Sequence, residues 1–119
     1  MAKILLIDDS RFARLRMKDF LRDSGFEVVE AGDGSEGLEK LESEKPDCVI
    51  CDLLMPVLDG FGLLEAVKTK GISTPVLILT SDIQEKTRAR ALELGAVDLI
   101  NKPPKYDEVV DQLKKYIGE

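Results

Sequence analysis

The sequence predicts an α/β fold, a doubly wound sheet of five parallel strands in the order 2-1-3-4-5. Three observations carry this expectation. Short apolar runs alternate five times with stretches of helical period. The runs are apolar at successive positions, as in a parallel sheet covered on both faces. The connections are long enough for right-handed strand–helix–strand crossovers. At 119 residues, the expectation is one domain, 1–119, with no output domain.

The strands read near residues 3–7, 27–31, 48–51, 76–79 and 97–101. Glu27 and Glu30 make the second more polar, which suits an edge. In the first helix Ala13, Met17, Phe20 and Leu21 form one stripe, ending near Ser24-Gly25. Asp33 with Glu36 reads as a capping box opening the second helix, whose inward residues are Leu38 and Leu41. The third runs from about Gly60 to Lys70 with Leu64 and Val67 inward, and Asp59-Gly60 before it reads only as a turn. The fourth begins after Ser81 and Asp82, carries Thr87, Ala91 and Leu94 on one face, and stops at Gly95. The fifth follows Pro103-Pro104 and shows Tyr106, Val109, Val110, Leu113 and Ile117.

Composition narrows the function. A hydrophobic fraction of 44% supports a core without a disulfide or metal staple. A formal net charge of -6 argues against direct nucleic-acid binding. The opening apolar run is too short for a signal peptide or membrane span, so the expectation is a cytoplasmic protein without membrane contact. Cys48 and Cys51 form C-x-x-C within one strand. Residues three apart on a strand face opposite ways, roughly 10 Å apart, too far for a disulfide, so both read as core thiols. There is no histidine. His-based general-base catalysis is therefore absent, and any metal here is a hard, oxygen-seeking one.

Four strands end in residues suited to phosphoryl or metal chemistry: Asp8 and Asp9, Asp52, Thr80 and Lys102. The predicted strand order gathers them at the sheet's carboxyl edge, where open α/β sheets bind ligands. Carboxylates about 4 Å apart repel by roughly 4 kcal/mol at an effective dielectric near 20. Lys102 offsets part of this, and a site of oxygens with open water positions suits Mg²⁺ for the rest. An acidic first loop repels phosphate unless a metal intervenes. Asp52, ending a central strand, is the best nucleophile for an aspartyl-phosphate. Thr80 is a donor to a phosphoryl oxygen and Lys102 a counter-charge.

Two other readings weaken on inspection. Gly32-Asp33-Gly34-Ser35-Glu36-Gly37 satisfies G-x-G-x-x-G between a strand and a helix. It follows the second strand, however, and Asp33 and Glu36 would repel a pyrophosphate. An aspartate-nucleophile phosphatase needs a second acid and a substrate cap, and no segment supplies a cap.

Asp8-Asp9-Ser10, Asp52 with Met55-Pro56 and Asp59-Gly60, Thr80-Ser81, Gly95-Ala96 and Lys102-Pro103 occur in this order along the whole chain. Together they resemble the receiver domain of two-component response regulators, a flavodoxin-like (βα)5 fold, in particular the stand-alone chemotaxis type. The resemblance implies that Asp52 accepts phosphate from a sensor histidine kinase. It implies that Asp8, Asp9, Asp52 and the main-chain carbonyl of Leu54 organise Mg²⁺, and that Thr80 and Lys102 contact the phosphoryl group. It also implies a cis Lys102-Pro103 bond. On this reading the protein transfers phosphate to and from itself and is no enzyme toward other substrates.

By the same resemblance an output protein docks on the fourth helix, fifth strand and fifth helix, with Glu85, Lys86, Lys105 and Asp107 as exposed contacts. A monomer that dimerises on phosphorylation fits this scheme. A relay intermediate passing phosphate to a histidine phosphotransfer domain is an alternative, as is a phosphate-independent interaction module. The sequence departs from the family pattern at Leu99, where a switch aromatic is expected, and at Pro104, often Phe. Fourth-helix loop movement with leucine repacking is therefore the expected signal. Leu54 and Asp82, two residues after Asp52 and Thr80, are expected to tune phosphoryl lifetime with opposing signs.

Overall fold

Ile4, Leu5, Leu6 and Ile7 are all buried, because their strand has a neighbour on each side and helices on both faces. The structure, a computed structural model, describes residues 1–118. Its elements are β1 (Lys3–Ile7), α1 (Arg11–Asp23), β2 (Glu27–Ala31), α2 (Gly34–Glu44), β3 (Cys48–Asp52), α3 (Gly60–Thr69), β4 (Val76–Thr80), α4 (Glu85–Glu93), β5 (Asp98–Asn101) and α5 (Tyr106–Ile117). The five strands form one parallel sheet in the order β2-β1-β3-β4-β5. The fold class and strand order are those the sequence predicts.

Alternation along the strands builds two cores. Leu5, Ile7, Val49, Cys51 and Ile78 pack with Leu41 of α2, Leu63, Leu64 and Val67 of α3 and Ala91 of α4. Ile4, Leu6, Cys48, Ile50, Leu77 and Leu79 pack with Met17 and Leu21 of α1 and Val109 and Leu113 of α5. Each large apolar side chain so buried contributes about 1.5–3 kcal/mol relative to exposure. Cys48 and Cys51 lie in different cores and are free thiols. Burial pushes the Cys48 thiol up to about 12 and raises that of Cys51 too. Neither supplies a thiolate at neutral pH. No helix among the described residues is long and apolar enough to cross a membrane.

Several local details differ from expectation. β3 and β4 each run one residue further than predicted, so Asp52 and Thr80 are the last residues of paired strands. β5 begins at Asp98 rather than 97, although the Val97 amide still bonds the Val76 carbonyl at 2.9 Å. Asp33 caps α2 by accepting from the Glu36 amide at 2.8 Å, but Glu36 reaches back to the Gly32 amide, one residue before the expected box partner. Asp59-Gly60 is more than a turn. Asp59 is the N-cap of α3 and accepts from the Gly62 amide at 2.8 Å.

The G-x-G-x-x-G stretch has a packing explanation. A Cβ at Gly34 would stand 2.1 Å from the Leu58 carbonyl oxygen, and one at Gly37 2.4 Å from the Ile7 side chain. These glycines let α2 press against the sheet and the β3–α3 loop, a structural demand independent of any dinucleotide.

In that loop Val57 has φ 71° and is 82% exposed, while the Leu58 amide donates to the Pro56 carbonyl at 2.8 Å. This is a γ-turn of the rare, strained hand on a β-branched residue. Such strain costs about 1–3 kcal/mol, and relieving it with glycine loses up to about 1 kcal/mol of that gain to the greater entropy of the unfolded chain. Val57→Gly is expected to raise unfolding stability by about 1 kcal/mol. Urea denaturation of the two proteins checks this, and a lower midpoint for the variant would refute the strain.

Candidate functional site

Strand pairing sets the site. Asp52 pairs in register with Leu79, and Thr80 with Asn101. The Leu53 amide bonds the Leu79 carbonyl at 2.9 Å, and the Lys102 amide bonds the Thr80 carbonyl at 2.9 Å. The sheet ladder thus continues into the residues that bear the chemistry. Gly60 closes the floor. Its amide donates to the Leu53 carbonyl at 2.8 Å, and a Cβ there would lie 3.0 Å from the Leu53 Cα.

Asp8, Asp9 and Asp52 each offer a carboxylate oxygen, all within 4.8 Å of one another. Asp8 and Asp52 are buried, and Asp9 is exposed. The Lys102 Nζ stands 2.9 Å from Asp52 Oδ1 and 3.8 Å from Asp8 Oδ2. Asp8 Oδ1 accepts from the Ser10 amide at 2.9 Å, so Ser10 holds Asp8 as well as capping α1. Burial raises the Asp52 carboxyl above its ordinary value. Lys102 opposes this by hydrogen bond and charge, and Asp8 and Asp9 add to the rise.

The donor set is hard oxygen, with no imidazole in the chain and both thiols buried in the cores. Three carboxylates with a single ammonium leave negative charge uncompensated. The residues therefore fit a hard divalent cation.

Thr80 is buried, and its Oγ1 accepts from the Asp82 amide at 3.0 Å. Its own hydrogen remains free for another acceptor. Both Asp82 oxygens serve the β4–α4 loop: Oδ1 accepts from the Gln84 amide at 2.9 Å and Oδ2 from Thr87 Oγ1 at 2.7 Å. These bonds hold its carboxyl below the usual range. The side chain expected to touch solvent chemistry is thus also a brace for the start of α4.

Leu54 is 71% exposed on the loop after β3. Leu99 is half-buried and packs on the same core as Met55, Phe61 and Leu94. The Lys102-Pro103 bond is cis, as the resemblance implied. A cleft of about 260 Å³ opens beside Asp8 and Lys102, walled by Phe12, Met17, Pro104 and Tyr106.

Sequence reasoning missed two contributors. Gly60 gave no signal beyond the turn dipeptide, because its role is a close approach to β3. Arg14 sits on α1 yet donates from Nη1 to the Asp8 main-chain carbonyl at 2.7 Å. An arginine at helical spacing from the apolar stripe reads as solvated, and only the fold brings it behind the acidic loop.

Comparison with known proteins agrees with this geometry. A family described as the response regulator receiver domain matches residues 4–114. The chain is 38% identical over 116 residues to the chemotaxis protein CheY of Listeria monocytogenes, covering 97% of this chain and 98% of that protein. It is 37% identical over 112 residues to the alkaline phosphatase synthesis transcriptional regulatory protein PhoP of Bacillus subtilis, spanning 94% of this chain but 47% of that one. Among solved structures, the receiver domain of the Francisella response regulator 1452 superposes with a TM-score of 0.96 at 28% identity, covering 99% of this chain and 98% of that one. Chemotaxis protein CheY4 of Vibrio cholerae does so at 0.91 and 33%, with 98% of each chain covered.

The electrostatics make a stability prediction. A carboxyl whose pKa is raised by folding binds its proton more tightly in the folded state. Its charged form therefore costs stability at neutral pH, and that cost disappears as pH falls through the raised value toward the ordinary one. Asp52→Asn in EDTA is expected to melt a few degrees above the parent at pH 7. The gap should close as the parent's Asp52 takes up its proton. Lys102 keeps Asp8 as partner in the variant. A variant melting below the parent at neutral pH would count against the crowded-carboxylate account.

Proposed function

The chain belongs to the response regulator receiver domain family, and from that premise we propose that it is a stand-alone switch phosphorylated on Asp52 by a sensor histidine kinase. Receiver domains of this kind are signalling proteins of two-component systems. The observation that supports the assignment to Asp52 is its Oδ1 held 2.9 Å from Lys102, at the centre of the acidic crevice. Similarity to a chemotaxis protein along 98% of that protein's length supports the chemotaxis-type reading.

The chemistry follows from the residues. An Asp52 carboxylate oxygen attacks phosphorus and forms a P–O bond. The bond from phosphorus to the donor, P–N in a phosphohistidine or P–O in acetyl phosphate, breaks, and the donor keeps the electron pair. Lys102 shifts from the carboxylate to the new phosphoryl oxygens, and the free Thr80 hydrogen is donated to one of them. Such a transfer needs positioning and charge stabilisation more than a proton-transfer base. Asp8, Asp9, Asp52 and the Leu54 main-chain carbonyl would hold Mg²⁺, which when bound supplies positive charge to the phosphoryl oxygens. Phe12, Leu54, Val57 and Ile83 are exposed on the segments around this edge. Exposed apolar side chains beside a polar crevice suit a docking protein donor.

The output reading rests on the neighbouring face. Glu85 and Lys86 are exposed at the start of α4, and Lys105 and Asp107 at the start of α5. Helix α4 buries only Ala91 and has no side-chain N-cap bond. It is therefore the element most easily moved when Thr80 turns toward a phosphoryl group and draws on the Asp82 amide. Leu99, half-buried against the same core as Leu94 and Phe61, repacks in place of an aromatic rotamer switch.

Two experiments check these proposals. Incubation with acetyl phosphate and Mg²⁺ should add one phosphoryl group by intact mass to the parent, none to Asp52→Asn, and none in EDTA. No addition to the parent would remove the phosphoacceptor role and favour a phosphate-independent interaction module. Beryllofluoride with Mg²⁺ should move the amide chemical shifts of Leu99 and α4. Shifts confined to the residues around Asp52 would sink the proposed route of the signal.

A further inference from the structure

Three partly buried charges stand behind the acidic loop, and the phosphoryl chemistry makes no use of them. The Arg14 guanidinium forks between two acceptors: Nη1 donates to the Asp8 carbonyl at 2.7 Å and Nε to Glu30 Oε1 at 3.0 Å. Lys18 Nζ donates to Glu30 Oε2 at 2.8 Å. The Arg14 and Glu30 side chains are 18% and 26% exposed, unlike the chain's mostly solvated ion pairs. The Lys18 hydrogen bond, helped by Arg14, draws the Glu30 carboxyl below its usual range against the effect of burial. Edge strand β2 thus presents a fixed anion to a guanidinium on α1, and the guanidinium's other arm ends on the peptide joining Asp8 to Asp9.

That peptide decides where Asp9 points. Asp8 is secured independently, its amide to the Ala31 carbonyl at 3.1 Å and its carboxylate to Ser10. Asp9 is exposed, and no described residue donates a hydrogen bond to its carboxylate. A peptide unit is planar, so holding its oxygen fixes the direction in which the next residue departs. We propose that Arg14 is a positioning residue for the divalent-cation site: anchored by Glu30, it holds the Asp8–Asp9 peptide so that the Asp9 carboxylate stays beside those of Asp8 and Asp52. This inference rests on the reading that the three aspartates bind a divalent cation. Groups that orient metal ligands from outside the coordination sphere typically change affinity by about 10–100-fold when removed.

Isothermal titration calorimetry with Mg²⁺ on the intact protein tests it, with melting curves in EDTA alongside. Arg14→Ala is expected to weaken Mg²⁺ by about tenfold. Arg14→Lys keeps the charge but cannot fork to both acceptors, and is expected to fall between parent and alanine variant. Lys18→Ala loses a strut to Glu30 without touching the loop, and should bind Mg²⁺ as the parent does. In acetyl phosphate reactions Arg14→Ala should need more Mg²⁺ for half-maximal rate, while reaching nearly the parent rate at saturation.

Parent affinity in both Arg14 variants would overturn the proposal. So would an equal loss in Lys18→Ala, which would make the bridge a general brace between α1 and β2. If Arg14→Ala does not fold, the comparison of Arg14→Lys with Lys18→Ala decides. A parent that binds no Mg²⁺ overturns the cation reading itself, a different result from a parent that binds and variants that match it.

Discussion

Crowded negative charge at the ends of β1 and β3 is the constraint that the carboxyl edge is built around. Two buried carboxylates and a third beside them could not rest there without Lys102, which arrives from the end of β5, two strands away from β3. The parallel sheet makes this affordable. Its central strands β1, β3 and β4 are buried on both faces, so their ends are stiff, and Asp8, Asp52, Thr80 and Lys102 are presented from ladder positions instead of a loose loop. Burial keeps Asp52 away from water and raises its proton affinity, while Lys102 pulls the other way. The site is a balance of opposed terms, and such a balance responds strongly when a phosphoryl group or cation is added.

The helices that cover the sheet are held unequally. Helices α1 and α5 bury Met17, Leu21, Val109 and Leu113 against one face, and Tyr106 stacks on Phe20 with centroids 4.7 Å apart. On the other face α4 relies on Ala91, on Arg90 lying 4.1 Å over the Phe61 ring, and on an Arg88–Asp98 pair at 3.3 Å. Exposed ion pairs contribute little, and a cation–π contact at the surface contributes about 0.5–1 kcal/mol. The helix least secured to the core is thus the one whose entry loop hangs on Thr80, through the Asp82 amide.

Most of the architecture was legible because it is written in local periods. Apolar runs of strand length and helical stripes fixed element type, and strand order then brought residues from positions 8 to 102 into one crevice. Boundaries slipped at Asp52, Thr80 and Glu85, where polar residues extend a strand or a side-chain brace delays a helix. Less visible were the features that depend on tertiary approach. Asp59 caps α3, and Gly34, Gly37 and Gly60 are demanded by neighbouring backbone or side chains. Glu30 looked like edge-strand polarity, yet it anchors Arg14 from sixteen residues away. No local pattern announces a contact of that kind, because its two halves belong to different elements.

The stacked pair Phe20–Tyr106 also has an optical consequence. The chain has no tryptophan and 2 tyrosines. Tyr116 donates its hydroxyl to the Val97 carbonyl at 3.1 Å, at the opposite end of β5 from Lys102. Tyr106 instead lines the cleft that opens on Asp8 and Lys102. The protein's tyrosine emission therefore comes from two fluorophores, one beside the crevice and one remote from it, so the two rings report on different ends of the same strand.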